Sequence, residues 1–276
     1  AKSLGSRAFI RRAEHLSGYV GPNDEDGLNA RLNALVDAAA TNDGKPGSFE
    51  RFKAFWEHAR TGAVFTAHPT FGISRVMREI MVEIATARDD EARRHATDRL
   101  SEHEHAPDPG ITLQDEHDQA QAAIAQLQDA LVWLGDQILQ RAALIWPDKW
   151  KNLDIRPLSV ASWVGYDLDG RTDIGWQQMV RLRLEEKAAQ LRRYQGVAQS
   201  LQEAINDAEP AYGSISAICS AITEAVVRTE ESVEMFSGPV EDPNTLADAA
   251  NALTDTKKPG HVTSVESFVS MIDEAI

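Results

Sequence analysis

A regular stripe of apolar residues in the middle of the chain predicts one long helix. The residues of the stripe recur in steps of three and four: Ala120, Ile124, Leu127, Leu131, Leu134, Ile138 and Ala142. This spacing places one apolar face along a helix over residues 112–145. Thr112 and Asp115 have the spacing of an N-terminal cap, and Pro147 follows the predicted end of the helix.

A second stripe predicts another long helix, which begins near Trp176. It runs through Val180, Leu184, Ala188, Leu191, Tyr194, Ala198, Leu201 and Ile205. Shorter helical patterns lie near residues 25–40, 48–60, 73–87, 90–103, 213–236, 243–253 and 263–275. The whole pattern predicts a mainly α protein whose long helices pack as a bundle.

Only two stretches have the pattern of strands, AVFTAH at 63–68 and LSVASWVG at 158–165. Both are short, rich in β-branched or aromatic residues, and bounded by Gly, Pro or Asp. Two strands do not form a stable sheet alone. Each strand ends in an unusual polar sequence, a pattern that is typical of residues that bind or react.

Composition narrows the classes of function. The chain has 276 residues, and its 28 Lys and Arg against 43 Asp and Glu give a net charge of −15. Such an acidic surface disfavours nucleic acid and anionic membranes as partners. The single cysteine, Cys219, excludes an internal disulfide and is predicted to be buried in an apolar helix. A single cysteine fits a reducing cytoplasm, where we expect the protein, and no apolar run is long enough to predict a membrane span.

The first strand runs into VFTAHPTF at 64–71. Pro69 disfavours the helical conformation for the residue before it, so His68 is held extended at the tip of the strand. A histidine titrates near neutral pH and can act as an acid, a base or an electrostatic partner. The alternative is a structural role, in which His68 is a capping or core histidine that bonds to the backbone.

The second strand runs into SWVGYDLDGRTD at 162–173. Gly165 permits a close backbone approach, and two carboxylates follow at Asp167 and Asp169. The DxDG run is not an EF-hand loop, because its ligand pattern does not continue to a glutamate. Taken alone, the segment is a turn followed by a helix cap at Asp173.

Together, VFTAHPT and SWVGYDLDG resemble the phosphoenolpyruvate carboxylase family. That family carries TAHPTE and SW-x-GGDRDGNP segments in the same order, each at the end of a strand of an α/β barrel embedded in helices. Its chains are several times longer. The resemblance therefore implies that residues 1–276 form a single N-terminal fragment, a long-helix bundle carrying a few short parallel strands of an incomplete TIM-type barrel.

The resemblance also implies an activity, which is carboxylation of phosphoenolpyruvate by bicarbonate to give oxaloacetate and phosphate, with Mg²⁺ or Mn²⁺. His68 takes the position of the family's catalytic histidine. Arg75 takes the position of a substrate-binding arginine of the family, and we expect it about one turn into a helix that starts after Thr70. Arg171 and Asp169 are further candidates for binding the substrate. The family's metal ligands lie far downstream, so we expect no activity from this fragment alone. Its partners would be the rest of the chain and other copies in a homo-oligomer.

Six positions depart from the family's pattern: Phe71, Ser74, Tyr166, Leu168, Arg171 and Thr172. Leu168 replaces an arginine that the family places near its substrate, and relocating that charge to Arg171 changes the geometry. The alternative is therefore a degenerate family member that acts as a binding or regulatory helical module without carboxylase activity. A further alternative is a helical interaction module in which the HPT segment is only structural.

Two other groups of residues are open to a functional interpretation. Four histidines lie close in sequence, and the HxH spacing suits zinc or nickel: His95, His103, His105 and His117. Their segment is charged and loop-like, which favours solvent exposure. The basic patches at 7–15 and 92–99 are either solvated helix faces or an anion or allosteric site.

Overall fold

Helices make up most of the chain that the computed structural model describes, namely residues 2–20, 25–59, 61–66, 73–106, 108–167, 171–172, 174–207 and 211–238, with 244, 247, 248 and 251. Within these residues the helices are α1 Lys2–Val20, α2 Glu25–Ala40, α3 Phe49–Trp56, α4 Arg75–Thr86, α5 Asp90–Glu102, α6 Leu113–Ile145, α7 Trp176–Ala204 and α8 Ala211–Met235. The strands are β1 Thr41–Asn42, β2 Lys45–Pro46, β3 Gly62–Phe65 and β4 Ser159–Ser162. The mainly helical prediction is confirmed.

The two long helices follow their predicted bounds closely. At the start of α6, Thr112 Oγ1 accepts a hydrogen bond from the Asp115 amide, and the Asp115 carboxylate accepts one from the Thr112 amide at 2.9 Å. The Thr112 hydroxyl also donates to the Asp115 carboxylate at 2.6 Å, and this bond together with the one from the Thr112 amide lowers the pKa of Asp115. α7 begins at Trp176 as predicted, but Gly175 occupies its cap position. Asp173, the predicted cap, lies outside the described residues, as does most of the predicted helices at 243–253 and 263–275.

The chain divides into two units, residues 1–164 and 165–276. The first unit has two apolar clusters. One joins α1, α4 and α5 through Ala13, Met77, Ile80, Met81, Ile84, Ala96 and Leu100. The other joins α2, α3 and the end of α6 through Val36, Ala40, Phe49, Phe52, Ile138, Ala142 and Trp146. The last part of the predicted α6 stripe, Ile138 and Ala142, therefore lies in the interior of this unit.

In the second unit α7 packs along α8. The buried residues of this contact are Ala198, Ile215, Ile218, Cys219, Ile222 and Val226. Cys219 is buried as predicted, and burial raises the pKa of its thiol. Among the described helices of the chain, none is both long and apolar enough to cross a lipid bilayer.

Both sheets in the described residues have two strands. β1 and β2 form an antiparallel hairpin around Asp43 and Gly44, whose positive φ angles of 50° and 75° suit a tight hairpin turn. β3 and β4 pair in parallel, with Gly62 opposite Ser159 and Phe65 opposite Ser162. They are shorter than the predicted strands, and no barrel forms within the described residues.

A bidentate ion pair joins α2 to α6. Arg141 Nε and Nη2 each donate to one carboxylate oxygen of Asp37 at 2.5 Å, and both side chains are about one-third exposed, at 33% and 34%. The hydrogen bonds from Arg141 lower the pKa of Asp37. Two parallel N–H···O bonds of this kind fix the relative orientation of the two side chains and also strengthen the attraction between them.

We expect Asp37→Asn to destabilise the protein at pH 7 and to reduce its sensitivity to acid. A carboxyl whose pKa is lower in the folded state stabilises the fold above its ordinary pKa of about 4, and this contribution is lost as the pH falls through the folded-state value. Urea unfolding followed by circular dichroism at pH 7 and below pH 4 measures both effects. Asp43→Asn, in the exposed β1–β2 turn, is the control. Equal acid sensitivity of wild type and Asp37→Asn would contradict this account.

Candidate functional site

Both segments that resemble the carboxylase motifs leave the same end of one strand pair. β3 and β4 run in the same direction, and Trp163 N donates to Phe65 O at 2.8 Å just beyond β4. At the other end, Ser159 N donates to Thr61 O at 3.1 Å. The chain therefore leaves β3 at Thr66 and β4 at Trp163 on one side of the sheet. Ligand sites of α/β sheets lie at this carboxyl end.

Two of the four predicted site residues fall outside the described residues. These are His68, the predicted catalytic group, and Asp169, a predicted substrate ligand. Their roles stay predictions. Arg75 and Arg171 are described, and Arg171 is half-buried.

Arg75 is the first residue of α4, so its predicted place one turn into a helix starting after Thr70 is wrong. The helix starts late because Ser74 has the chemistry of a cap, and its hydroxyl accepts from the Met77 amide at 3.2 Å. The Arg75 guanidinium donates to Glu79 at 2.8 Å, and its side chain is 78% exposed. This hydrogen bond raises the pKa of Arg75. In this arrangement the guanidinium contacts a carboxylate of its own helix.

A loop after α5 secures the start of α4. The Ser74 hydroxyl shares a hydrogen bond with His103 Nε2 at 3.1 Å, and Arg75 N donates to the Asp108 carboxylate at 2.8 Å. His105 lies edge-on to Phe9 of α1, with ring centroids 5.3 Å apart. The helix that follows the HPT segment is thus held by a serine, a histidine and an aspartate.

The described residues of this loop do not form a metal-binding group. Within the described residues, which include all four histidines, no three His, Cys, Asp or Glu side chains lie close enough to hold a metal ion. His103 and His105 are half-buried, and His117 is buried in α6. The predicted solvent exposure is therefore wrong for these three histidines. The same finding applies to Mg²⁺ or Mn²⁺: the described residues do not fit either ion.

The second segment docks closely on α7. Gly165 is buried with a φ of 84°, and a Cβ at this position would overlap with Leu182 Cδ1. Only glycine adopts this left-handed conformation without strain, so its close approach to the helix requires this residue. The prediction that Gly165 permits a close backbone approach is confirmed.

The next residue, Tyr166, binds the same helix one turn further along. Its hydroxyl donates to Glu186 Oε2 at 3.2 Å, and Arg183 Nη1 donates to the same oxygen at 3.1 Å. Burial, reinforced by the nearby Glu186 carboxylate, raises the pKa of Tyr166 to about 12. Sequence reasoning noted Tyr166 only as a departure from the family and missed Glu186. The Arg183–Glu186 spacing signals a helical pair, but no local pattern signals the tyrosine.

Comparison of the chain with protein-family models, curated proteins and solved structures found no match. The resemblance to phosphoenolpyruvate carboxylases therefore depends on the two sequence segments alone.

We expect Gly165→Ala to lower the free energy of unfolding by about 2 kcal/mol or more, because it adds left-handed strain and a clash with Leu182. Urea denaturation measures this loss. The control is Gly196→Ala on an open face of α7, where an added Cβ meets nothing within 4 Å. This change should stabilise the helix by about 0.5–1 kcal/mol. A Gly165→Ala protein as stable as wild type would rule out the close contact.

Proposed function

We propose that this chain is the N-terminal part of a phosphoenolpyruvate carboxylase-like enzyme, which joins phosphoenolpyruvate and bicarbonate to give oxaloacetate and phosphate. One observation carries the proposal. The chain leaves the parallel strands β3 and β4 on the same side, at Thr66 before the HPT residues and at Trp163 within SWVGYDLDG, and the family places both segments at strand ends. Their order in the chain and the direction of both strands support a common substrate.

The proposed roles follow from the chemistry of the reaction. Negative charge develops on phosphate and carboxylate oxygens as carboxyphosphate forms and the enolate is carboxylated. An imidazole stabilises such charge, which is the role we assign to His68. Arg75 and Arg171 supply guanidinium groups for the anionic substrate, and Asp169 is a further substrate contact. For Arg75 this role requires release from Glu79.

We further propose that β3 and β4 belong to a TIM-type barrel that the remainder of a longer chain completes. Parallel sheets occur almost only with both faces covered, and an isolated pair of strands is marginal. Here Val64 of β3 is 54% exposed, and Trp163, directly after β4, is 58% exposed. Large apolar side chains on the open face of a small parallel sheet support an unfinished barrel.

A divalent metal would balance the substrate's negative charge in such an enzyme. Because the described residues do not fit Mg²⁺ or Mn²⁺, its ligands would come from the downstream part of the chain. None of the roles proposed above is routed through a metal.

The alternative, a degenerate member that binds a ligand or regulates without carboxylating, is favoured by the substituted positions. Ser74, where the family has arginine, shares a hydrogen bond with His103. Tyr166, where the family has glycine, bonds to Glu186. These replacements have structural partners, as expected where fold has been retained and the chemistry altered.

Full-length protein, assayed for oxaloacetate formation by coupled reduction with NADH, should lose activity by about 10²-fold or more in His68→Asn, because a general acid–base or charge-stabilising group is removed. His95→Asn, on the exposed side of α5, is the control and should keep wild-type activity. Calorimetric titration with phosphoenolpyruvate is run on the same proteins.

Equal activity of wild type and His68→Asn would remove His68 from the mechanism. Saturable phosphoenolpyruvate binding without oxaloacetate formation would favour the degenerate member. If no saturable binding occurs, the chain is a structural module and both proposals fail.

A further inference from the structure

One face of α7 extends well beyond the part that its own chain covers. Residues on this face recur in steps of four and three, which places them in one line along the helix: Leu182, Glu186, Ala189, Arg193, Gly196, Ser200 and Glu203. We call this line the outer seam of α7. Gly165 lies against Leu182, and the Tyr166 hydroxyl donates to Glu186. The chain that follows β4 therefore covers the start of the outer seam.

From Ala189 onward the outer seam is open within the described residues. Arg193 is half-buried, and the other members of this part are exposed: Ala189, Gly196, Ser200 and Glu203. Val197 and Leu201 border it, and their side chains are 62% and 51% exposed. α8 packs against the other side of α7, where Ala198 is buried. The open part of the outer seam is thus a second face of the helix, with an apolar border.

The centre of this open part has small side chains. Gly196 and Ser200 lie one turn apart on the helix. A glycine inside a helix weakens it, and a Cβ added to Gly196 would meet nothing within 4 Å. Residues without bulky side chains let another backbone approach closely. A second helix can therefore pack against α7 at this point.

The charges of the open part make it complementary to itself. Arg193 lies three residues before Gly196, and Glu203 lies three residues after Ser200. When two copies of α7 pack antiparallel about a two-fold axis, Gly196 faces Ser200 of the second copy, and Arg193 faces Glu203 of the second copy. A two-fold axis repeats every contact, so the interface contains two arginine–glutamate pairs. A parallel pair would instead bring the two copies of Arg193 together, so the charges favour the antiparallel order.

We infer that the outer seam of α7, from Ala189 to Glu203, is an interface between two copies of this chain. The contact is an antiparallel helix pair about 20 Å long, at 1.5 Å per residue. One helix pair buries less surface than the roughly 1,600 Å² of a standard interface, so the dimer forms reversibly and depends on concentration. This inference does not rest on the proposed function.

Sedimentation velocity of the 276-residue chain tests the inference. Salt at about 0.15 M screens the repulsion between two copies of net charge −15. Wild type should pass from monomer to dimer between about 10 and 500 μM, the range of a small, reversible interface. Arg193→Glu and Glu203→Arg each place like charges opposite one another twice, so each should raise the dissociation constant of the dimer by about tenfold or more. The double variant exchanges both charges and should return to within about threefold of wild type.

Two further variants separate the interface from general effects. Gly196→Gln fills the space where the two helices meet and should abolish the dimer, although its side chain meets nothing in its own chain. Lys187→Glu makes the same change of charge as Arg193→Glu. Lys187 is exposed and lies two residues before Ala189, on another side of α7, so this variant should dimerise like wild type. Thermal melts followed by circular dichroism establish that each variant is folded.

Three results would overturn the inference. The first is a wild type that stays monomeric over the whole range, and the second is a double variant that dimerises no better than the single variants. The third is an equal loss of the dimer in Lys187→Glu and Arg193→Glu, because the effect would then depend on net charge alone. None of these results bears on oxaloacetate formation, so the inference and the proposed function fail separately.

Discussion

The parallel pairing of β3 with β4 is the constraint on which the arrangement of this protein depends. The strands lie almost a hundred residues apart in the chain, yet four backbone pairs set them in one register. Because parallel strands share a carboxyl end, this pairing decides that Thr66 and Trp163 emerge on the same side. In an antiparallel pair the same two sequences would leave at opposite ends. Strand direction thus places the chain after Phe65 and the chain after Ser162 at one end of the same strand pair.

A helix follows each of the two strands, and each helix is contacted by a residue that differs from the family's pattern, Ser74 at α4 and Tyr166 at α7. At the start of α4 the Ser74 hydroxyl caps the helix and meets His103, and the Asp108 carboxylate accepts from the first amide. On α7, Leu182 and Glu186 receive the segment that follows β4. Ser74, where the family has arginine, accepts from the Met77 amide of α4, and Tyr166, where the family has glycine, donates to Glu186 of α7. The scaffold is fixed by hydrogen bonds that this particular sequence supplies.

How much of the fold and of the site could be predicted depends on how far apart in the sequence the interacting residues lie. The periodic stripes fixed α6 and α7 and the Thr112 cap, because helices are specified by residues three and four apart. Residues 7–15 were interpreted as a possible helix face, but the bounds of α1 were not predicted, since Gly5, Ser6, Ser17 and Gly18 weaken its helical pattern. His103 and Ser74 are 29 residues apart, and Asp37 and Arg141 are 104 apart. No local spacing signals such pairs, so only the folded chain reveals them.

The central claim is tested most directly by interstrand nuclear Overhauser effects in isotope-labelled protein. The account predicts contacts between the backbones of Val64 and Ala161 and of Phe65 and Ser162, in parallel register. Contacts in antiparallel order, with Phe65 beside Ser159, or no contacts between these strands, would contradict it, because the two segments would then no longer leave one end of a common sheet.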